Sequence, residues 1–370
     1  MFGLFGQKID PEKSAALRAR LEGWVDPLNQ QTLGEAGVIE RAEVVGKTAQ
    51  IALVFDYPAA GLEAERVAAF TALARTVPAV EQVEVTLAFV SPLGSQQQGR
   101  PLPGVRNLIA VASGKGGVGK STTSVNLALA LAAEGAVVGL LDADIYGPSQ
   151  PLMLGSKQTP AVNADRSMAP VLAHGLQTMS IGYLVDEAQA MIWRGPMVTS
   201  ALMQLLNDTR WADLDYLIVD MPPGTGDIQL TLAQKVPVAG AVIVTTPQDI
   251  ALLDARKAIT MFDKVNIPVL GVIENMSVHI CSNCGHAEPI FGQGGGEKLA
   301  AELGVGLLGQ LPLDLRIRVD VDDGQPTVVR APDSAIALAY RRLARQTAAA
   351  LGRQVRAAQG SDLPPITVEE

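Results

Sequence analysis

The stretch Gly114-Lys115-Gly116-Gly117-Val118-Gly119-Lys120-Ser121 constrains this chain more than any other. It satisfies G-x-x-x-x-G-K-[ST] in full, behind an apolar strand pattern and ahead of a helical one, with Thr122 continuing into the helix. Glycines there permit positive φ and close backbone approach, so successive N–H groups can point at phosphate oxygens. The helix start adds its positive dipole end. In that frame Lys120 reaches the β- and γ-phosphates of a nucleotide and the Ser121 hydroxyl binds Mg²⁺. A loop of this kind needs a strand and a helix meeting at the edge of a sheet, so it fixes the local architecture along with the chemistry.

The rest of the sequence supplies that sheet. Apolar strand patterns at 107–112, 137–142, 176–181, 216–220, 241–246, 269–274 and 307–311 alternate with helical periodicity at 120–134, 199–206, 228–236, 251–265, 297–303 and 334–351. Strands recurring between helices predict an α/β unit over 105–352, a P-loop NTPase fold with a mostly parallel sheet and helices on both faces. Ligands of such sheets bind at the carboxyl ends of the strands. A small α+β unit is expected ahead of it over 10–92, with helices at 11–24 and 62–76 and strands at 37–45, 48–55 and 80–88. Residues 93–104, rich in Pro, Gly, Ser and Gln, read as a linker. Residues 353–370 read as a flexible tail. Two domains suit 370 residues at roughly 100–200 residues each.

Composition excludes several function classes. Hydrophobic residues make up 48% but aromatics only 4%, so the core must be mainly Ala, Val, Leu and Ile. Mean hydropathy is +0.22, yet no apolar run approaches the ~20 residues of a membrane span. The N-terminus lacks a basic segment followed by an apolar stretch, which argues against secretion and for the cytoplasm. The net charge of −9 and the absence of clustered cations, apart from Arg341, Arg342 and Arg345 at helical spacing, argue against a nucleic-acid surface.

Three further patterns carry chemistry. Asp142-Ala143-Asp144 closes one strand pattern, and Asp220 closes another. Asp220 suits a carboxylate near Mg²⁺, and Asp142 suits either that role or the capping of a turn. The segment Met221–Asp227, with Pro222-Pro223-Gly224-Thr225-Gly226, is a loop placed near a γ-phosphate. The only two cysteines, Cys281 and Cys284, are spaced C-x-x-C in His279–His286. In a chain with no export signal this spacing favours metal or redox chemistry over a structural disulfide. Zinc could take both thiolates with His279 and His286. A four-thiolate iron–sulfur cluster would need two chains, each giving two cysteines across a two-fold axis.

Taken together, the P-loop with its early Lys115, Asp142–Ser149 (D-A-D-I-Y-G-P-S), the P-P-G-T-G-D loop, Glu274–Ser277 (E-N-M-S), Phe291–Gly295 and the C-x-x-C pair resemble the Mrp/ApbC (Nbp35-like) iron–sulfur cluster carriers. Those carriers belong with the MinD/ParA ATPases of the deviant Walker A class. The first unit resembles the small MIP18-like domain, with Asp26-Pro27 as its trace. The resemblance implies a homodimer that binds ATP and Mg²⁺ and hydrolyses ATP. It further implies a labile [4Fe–4S] cluster held by Cys281 and Cys284 of both subunits and passed to apo iron–sulfur proteins, in company with cluster assembly proteins. By the same resemblance, Lys115 crosses the dimer to the partner's nucleotide, Asp144 positions the attacking water, and Asn275 contacts adenine. Two other functions stay open at this level. One is a positioning ATPase of the MinD/ParA kind, against which the charge and the acidic, Pro-containing tail argue. The other is a zinc-stabilised, nucleotide-dependent scaffold.

Overall fold

The structure, a computed structural model, describes residues 8–94, 101–185, 195–224, 226–281 and 283–361. The chain divides into two compact units, Met1–Pro92 and Leu93–Glu370.

The first unit is a small sheet covered by helices. Helix α1 (Pro11–Glu22) is followed by the short strands β1 (Val25–Asp26) and β2 (Gln31–Thr32) and the single turn α2 (Leu33–Ala36). Strands β3 (Ile39–Val45) and β4 (Thr48–Phe55) form an antiparallel pair, helix α3 is Glu63–Ala74, and β5 (Gln82–Phe89) joins β4 in parallel. Burial alternates along β4, so one face carries Ala49, Ile51, Leu53 and Phe55 into a core with Leu17, Leu21 and Phe70. Inside it, Asp26, Tyr57 and Arg66 form a buried hydrogen-bonded ion network, and the guanidinium of Arg66 lies 4.1 Å from the Phe55 ring centroid.

The second unit is built on β6 (Val105–Ala112), α4 (Lys120–Ala133), β7 (Val138–Asp142), α5 (Gln150–Met153), β8 (Val171–Ala173), β9 (Leu176–Ser180) and α6 (Gly195–Asp208). It continues through β10 (Leu214–Asp220), α7 (Asp227–Lys235), β11 (Val238–Thr245), α8 (Asp249–Lys264) and β12 (Val269–Glu274). A hairpin of β13 (His279–Ile280) and β14 (Ala287–Glu288) leads to α9 (Gly295–Leu303), β15 (Leu307–Gln310), α10 (Leu315–Asp322), α11 (Thr327–Arg330) and α12 (Ala335–Ser361). The eight-stranded sheet has the order β15-β12-β11-β6-β10-β7-β9-β8, parallel throughout except for the edge pair β8–β9. This is the expected mostly parallel sheet. Strand β6 lies at its centre between β10 and β11, so the loop that follows β6 sits where the strand order switches direction.

Two expectations change. The antiparallel edge strand β8 carries too short an apolar pattern to show in the sequence. Helix α12 runs ten residues beyond Leu351, so the first half of the segment expected to be a flexible tail is helical. Leu351, Gly352 and Val355 are buried there, and tertiary packing overrides the helix-ending signal of Gly352. The described ends of the 93–104 segment are also anchored. The Gly94 amide donates to Asn107 Oδ1 at 2.9 Å, and Leu102 is buried.

Candidate functional site

Strand register assembles the centre of the site. Asp220 on β10 pairs with Asp142 on β7, and Asp142 pairs with Ser180 on β9, so their side chains align at the carboxyl ends of three adjacent strands. Asp220 is fully buried. It accepts from the Lys120 ammonium, from Ser124 Oγ at 2.9 Å and from Gln150 Nε2 at 2.8 Å. Lys120, only 6% exposed, also donates to Ser121 Oγ at 3.2 Å.

The loop between β6 and α4 has the predicted conformation. Gly117 and Gly119 take φ of +82° and +81°, values a side chain would resist. Gly114 is needed for a different reason, since a Cβ there would overlap the backbone of Asp254 on α8. Lys115 is half-buried, and its ammonium has no ion-pair partner among the described residues.

Asp142 spends both carboxylate oxygens on protein donors. They accept from the amides of Asp144, Ser149 and Gln150 at 3.2, 3.0 and 3.1 Å, and from Ser180 Oγ at 3.1 Å. This is the turn-capping arrangement, and it ties the 144–150 loop to the sheet. Burial, then the neighbouring Asp220 carboxylate, pushes the Asp142 carboxyl up to about 7, against the lowering by the Gln150 and Asp144 amides. Asp144 is half-buried and accepts from the Gly147 amide at 3.2 Å. Burial raises its carboxyl above the ordinary range.

Asn275 follows the end of β12. Its Nδ2 donates to the Val118 carbonyl at 2.9 Å, so the residue expected at adenine braces the phosphate loop itself. Glu274 and Gln150, which sequence reasoning passed over, are both buried at strand or helix ends in this region. Glu274 accepts from the Gly296 amide and from Gln310 Nε2, joining α9 and β15 to β12. Glu274 opens the E-N-M-S motif but was given no role there, and Gln150 lies one residue past the D-A-D-I-Y-G-P-S motif, so only the packing reveals what either does. Thr225, in the P-P-G-T-G-D loop, lies outside the described residues.

The cysteines sit on the β13–β14 hairpin. Cys281 N donates to the His286 carbonyl and Gly285 N to the Cys281 carbonyl, both at 2.9 Å, and Gly285 takes a φ of +72°. That turn directs the amides of Asn283 and Cys284 at the Cys281 sulfur, which, with the Cys284 side chain, hold its thiol below the usual range. Cys281 is half-buried and Cys284 exposed, and both are free thiols. Among the described residues no third His, Cys, Asp or Glu joins them in a metal-ligand cluster, so the zinc set with His279 and His286 is not assembled. His279 instead lies 3.2 Å from the Leu313 carbonyl. Among the described residues no helix is long and apolar enough to cross a membrane.

The site thus contains a phosphate loop with a strand-end carboxylate, and a two-thiol hairpin that starts a few residues past the asparagine bracing that loop. A family model described as ParA: NUBPL iron-transfer P-loop NTPase matches residues 104–348. The chain belongs to that ParA family. Its phosphate loop and Asp220 lie within the residues that this model matches. An "Iron-sulfur cluster carrier protein" of Escherichia coli (strain K12) is 66% identical over 249 residues, covering 67% of this chain and 68% of that protein. A protein of the same description from Haemophilus influenzae is 49% identical over 350 residues, covering 94% of each. A match of that breadth takes in the first unit as well. The solved structure of a nucleotide-binding protein from Archaeoglobus fulgidus, in complex with ADP, superposes with a TM-score of 0.54 at 38% identity, covering 60% of this chain and 88% of that one.

Proposed function

We propose that this ParA-family chain is a cytoplasmic ATPase that carries a labile [4Fe–4S] cluster between two copies of itself and delivers it to apo iron–sulfur proteins. The observation that carries this reading is the Cys281–Cys284 hairpin. It offers two free thiols and two sulfur-directed amides, and no further ligand joins them among the described residues. A cubane cluster takes four thiolates, so two hairpins facing across a two-fold axis complete the set. Thiolates stay reduced in the cytoplasm, which suits cargo held this way.

At the nucleotide end, the amides of Gly116, Gly117, Val118 and Gly119 cradle the phosphates with Gly114, and Thr122 continues the helix start. Lys120 leaves Asp220 for the β- and γ-phosphates. Bound Mg²⁺ supplies charge neutralisation there, and the oxygens of Ser121 and Asp220 suit it, with Asp142 capping the loop behind them. Asp144 orients the attacking water, its raised affinity for a proton suiting it to hold one briefly. Lys115 reaches the partner's nucleotide and adds positive charge in the transition state. The Asn275 amide bridges base and loop, with its oxygen toward the adenine amino group.

The two ends are coupled through β12. Asn275 touches the phosphate loop, and the chain then passes Ser277, whose amide donates to the Leu311 carbonyl, before entering the hairpin at His279. Nucleotide state therefore shifts the geometry at which two hairpins meet, provided the two dimer states bind nucleotide with different affinity.

Anaerobic reconstitution with iron and sulfide, followed by metal analysis and mass measurement, tests the reading. About four irons per two chains in a dimer is expected, with loss of iron in Cys281→Ser and Cys284→Ser. One zinc per monomer, or iron retained after both substitutions, would overturn it.

A further inference from the structure

Gln150 stands at the start of α5 and is 1% exposed. Its Nε2 donates to Asp220 Oδ2 at 2.8 Å and to the Ser121 carbonyl at 3.1 Å. Both neighbours are acceptors only, so the amide can face them only with its NH₂ group. Its Oε1 is then turned the other way, buried and without a donor. A buried amide oxygen left without a donor carries a desolvation penalty, and beside a phosphate loop that penalty points to a ligand. The donor that would satisfy it must come from outside the described residues. The side chain that carries this oxygen is anchored to the Asp220 carboxylate and to the backbone of Ser121, whose hydroxyl, with that carboxylate, suits a divalent cation.

We infer that Gln150 is a positioning residue for the metal. Its Oε1 accepts a hydrogen bond from a water on Mg²⁺ bound with the nucleotide, while its Nε2 keeps the Asp220 carboxylate aimed at the ion. Mg²⁺ keeps several waters in such sites and polarises them into strong donors, which is the chemistry Oε1 lacks. Because the amide of Gln150 also donates to Asp142, the same residue ties the metal shell to the 144–150 loop. That loop carries Asp144. Gln150 thereby links metal occupancy to the placement of the water-orienting carboxylate. The inference rests on the reading of the phosphate loop as a Mg²⁺–nucleotide site.

The test is calorimetric titration of the full chain with ADP, with and without Mg²⁺, in the wild type, Gln150→Met and Gln150→Glu. Met preserves length and volume but removes both polar atoms. It is expected to weaken ADP binding about tenfold when Mg²⁺ is present and to leave binding in EDTA within twofold. A purely structural role would lower both alike. Glu keeps an acceptor toward the metal but faces Asp220 and the Ser121 carbonyl with a second acceptor, so Mg²⁺ should raise its melting temperature more than it raises the wild type's. Equal Mg²⁺ dependence in Met and wild type would overturn the inference. Should the Met variant not fold, a Mg²⁺ shift in the Glu variant no larger than wild type would overturn it instead. A wild type whose ADP affinity ignores Mg²⁺ would remove the underlying reading as well, so the two failures are distinguishable.

Discussion

Asp142 and Asp220 stand side by side on neighbouring strands, both fully buried, and only Asp220 has the Lys120 ammonium as its ion-pair partner among the described residues. Two adjacent carboxylates in a poorly solvated site resist ionising together, and the strain falls on Asp142, whose carboxyl is pushed up to about 7. A carboxyl raised in the folded state takes up a proton that the unfolded chain, with an ordinary value near 3.9, has already released. Stability from this group is therefore full below about pH 4 and is lost as pH rises through about 7. Chemical denaturation of the metal-free protein at fixed steps from pH 5 to 8 should show stability falling up to about pH 7 and levelling above it. Asp142→Asn should flatten most of the slope, leaving the smaller part that the raised Asp144 carboxyl contributes. The same variant should be less stable by about 1–3 kcal/mol at pH 6, because Asn keeps one oxygen for Ser149, Gln150 and Ser180 but turns an NH₂ toward the Asp144 amide. The residue scale also shows where sequence reading ends. The glycines, Lys120 and Asp220 announce themselves because a contiguous motif or a strand end sets their geometry. Gln150 does not, because its role comes from Ser121 and Asp220, 29 and 70 positions away. Asn275 was found by its motif, yet its bond to Val118 comes from the packing of β12 against the loop.

Among the elements, the phosphate loop is wedged between two others. Gly114 lies against the backbone of α8, and Val118 is held by Asn275 beyond β12. Gly114→Ala would press a methyl into the Asp254 carbonyl, and the loop or the helix must shift. The expected cost is about 1–3 kcal/mol of stability, with nucleotide binding lost in proportion to the loop's displacement, both readable in one thermal titration. Asn275→Ala removes the side chain that, among the described residues, hydrogen-bonds the Val118 carbonyl. It should weaken ATP binding about tenfold while leaving the cysteine hairpin free to load iron, because that hairpin is closed by its own backbone bonds. Iron release from the loaded variant should no longer change when ATP is added; a nucleotide response equal to wild type would rule out coupling through β12. Elements of this length were legible because parallel strands buried on both faces read as apolar runs. The strands of the central six were recovered to within a few residues. Strands β13 and β14 have two residues each and no period to detect. The end of α12 was missed because Gly352 is a stop signal only when solvent, not a sheet, lies beneath the helix.

Across the whole molecule, each unit has its own core. The first buries Leu17, Leu21, Leu53 and Phe70 under a three-stranded sheet, and the second buries β6, β10 and β11 on both faces. All residues assigned here to nucleotide, metal or cluster belong to the second unit, and the first contains no cysteine. A chain beginning at Leu93 should therefore fold, show the same Mg²⁺–ADP thermal shift as the full chain, and bind about four irons per two chains. The start at Leu93 matters, because the Gly94 amide and buried Leu102 belong to the second unit's packing, and in a shorter version Asn107 Oδ1 would lose the hydrogen bond that the Gly94 amide donates. Delivery is the property in which the two chains should part. If the first unit recruits recipients, transfer to an apo-protein should slow in the shortened chain while loading and ATP turnover do not. If it only supports the dimer, the loaded shortened chain should lose dimer mass on dilution before it loses transfer. Measuring mass and transfer on the same loaded sample separates the two. Failure of the shortened chain to bind nucleotide at all would mean that the phosphate loop depends on the first unit, which the separate cores argue against.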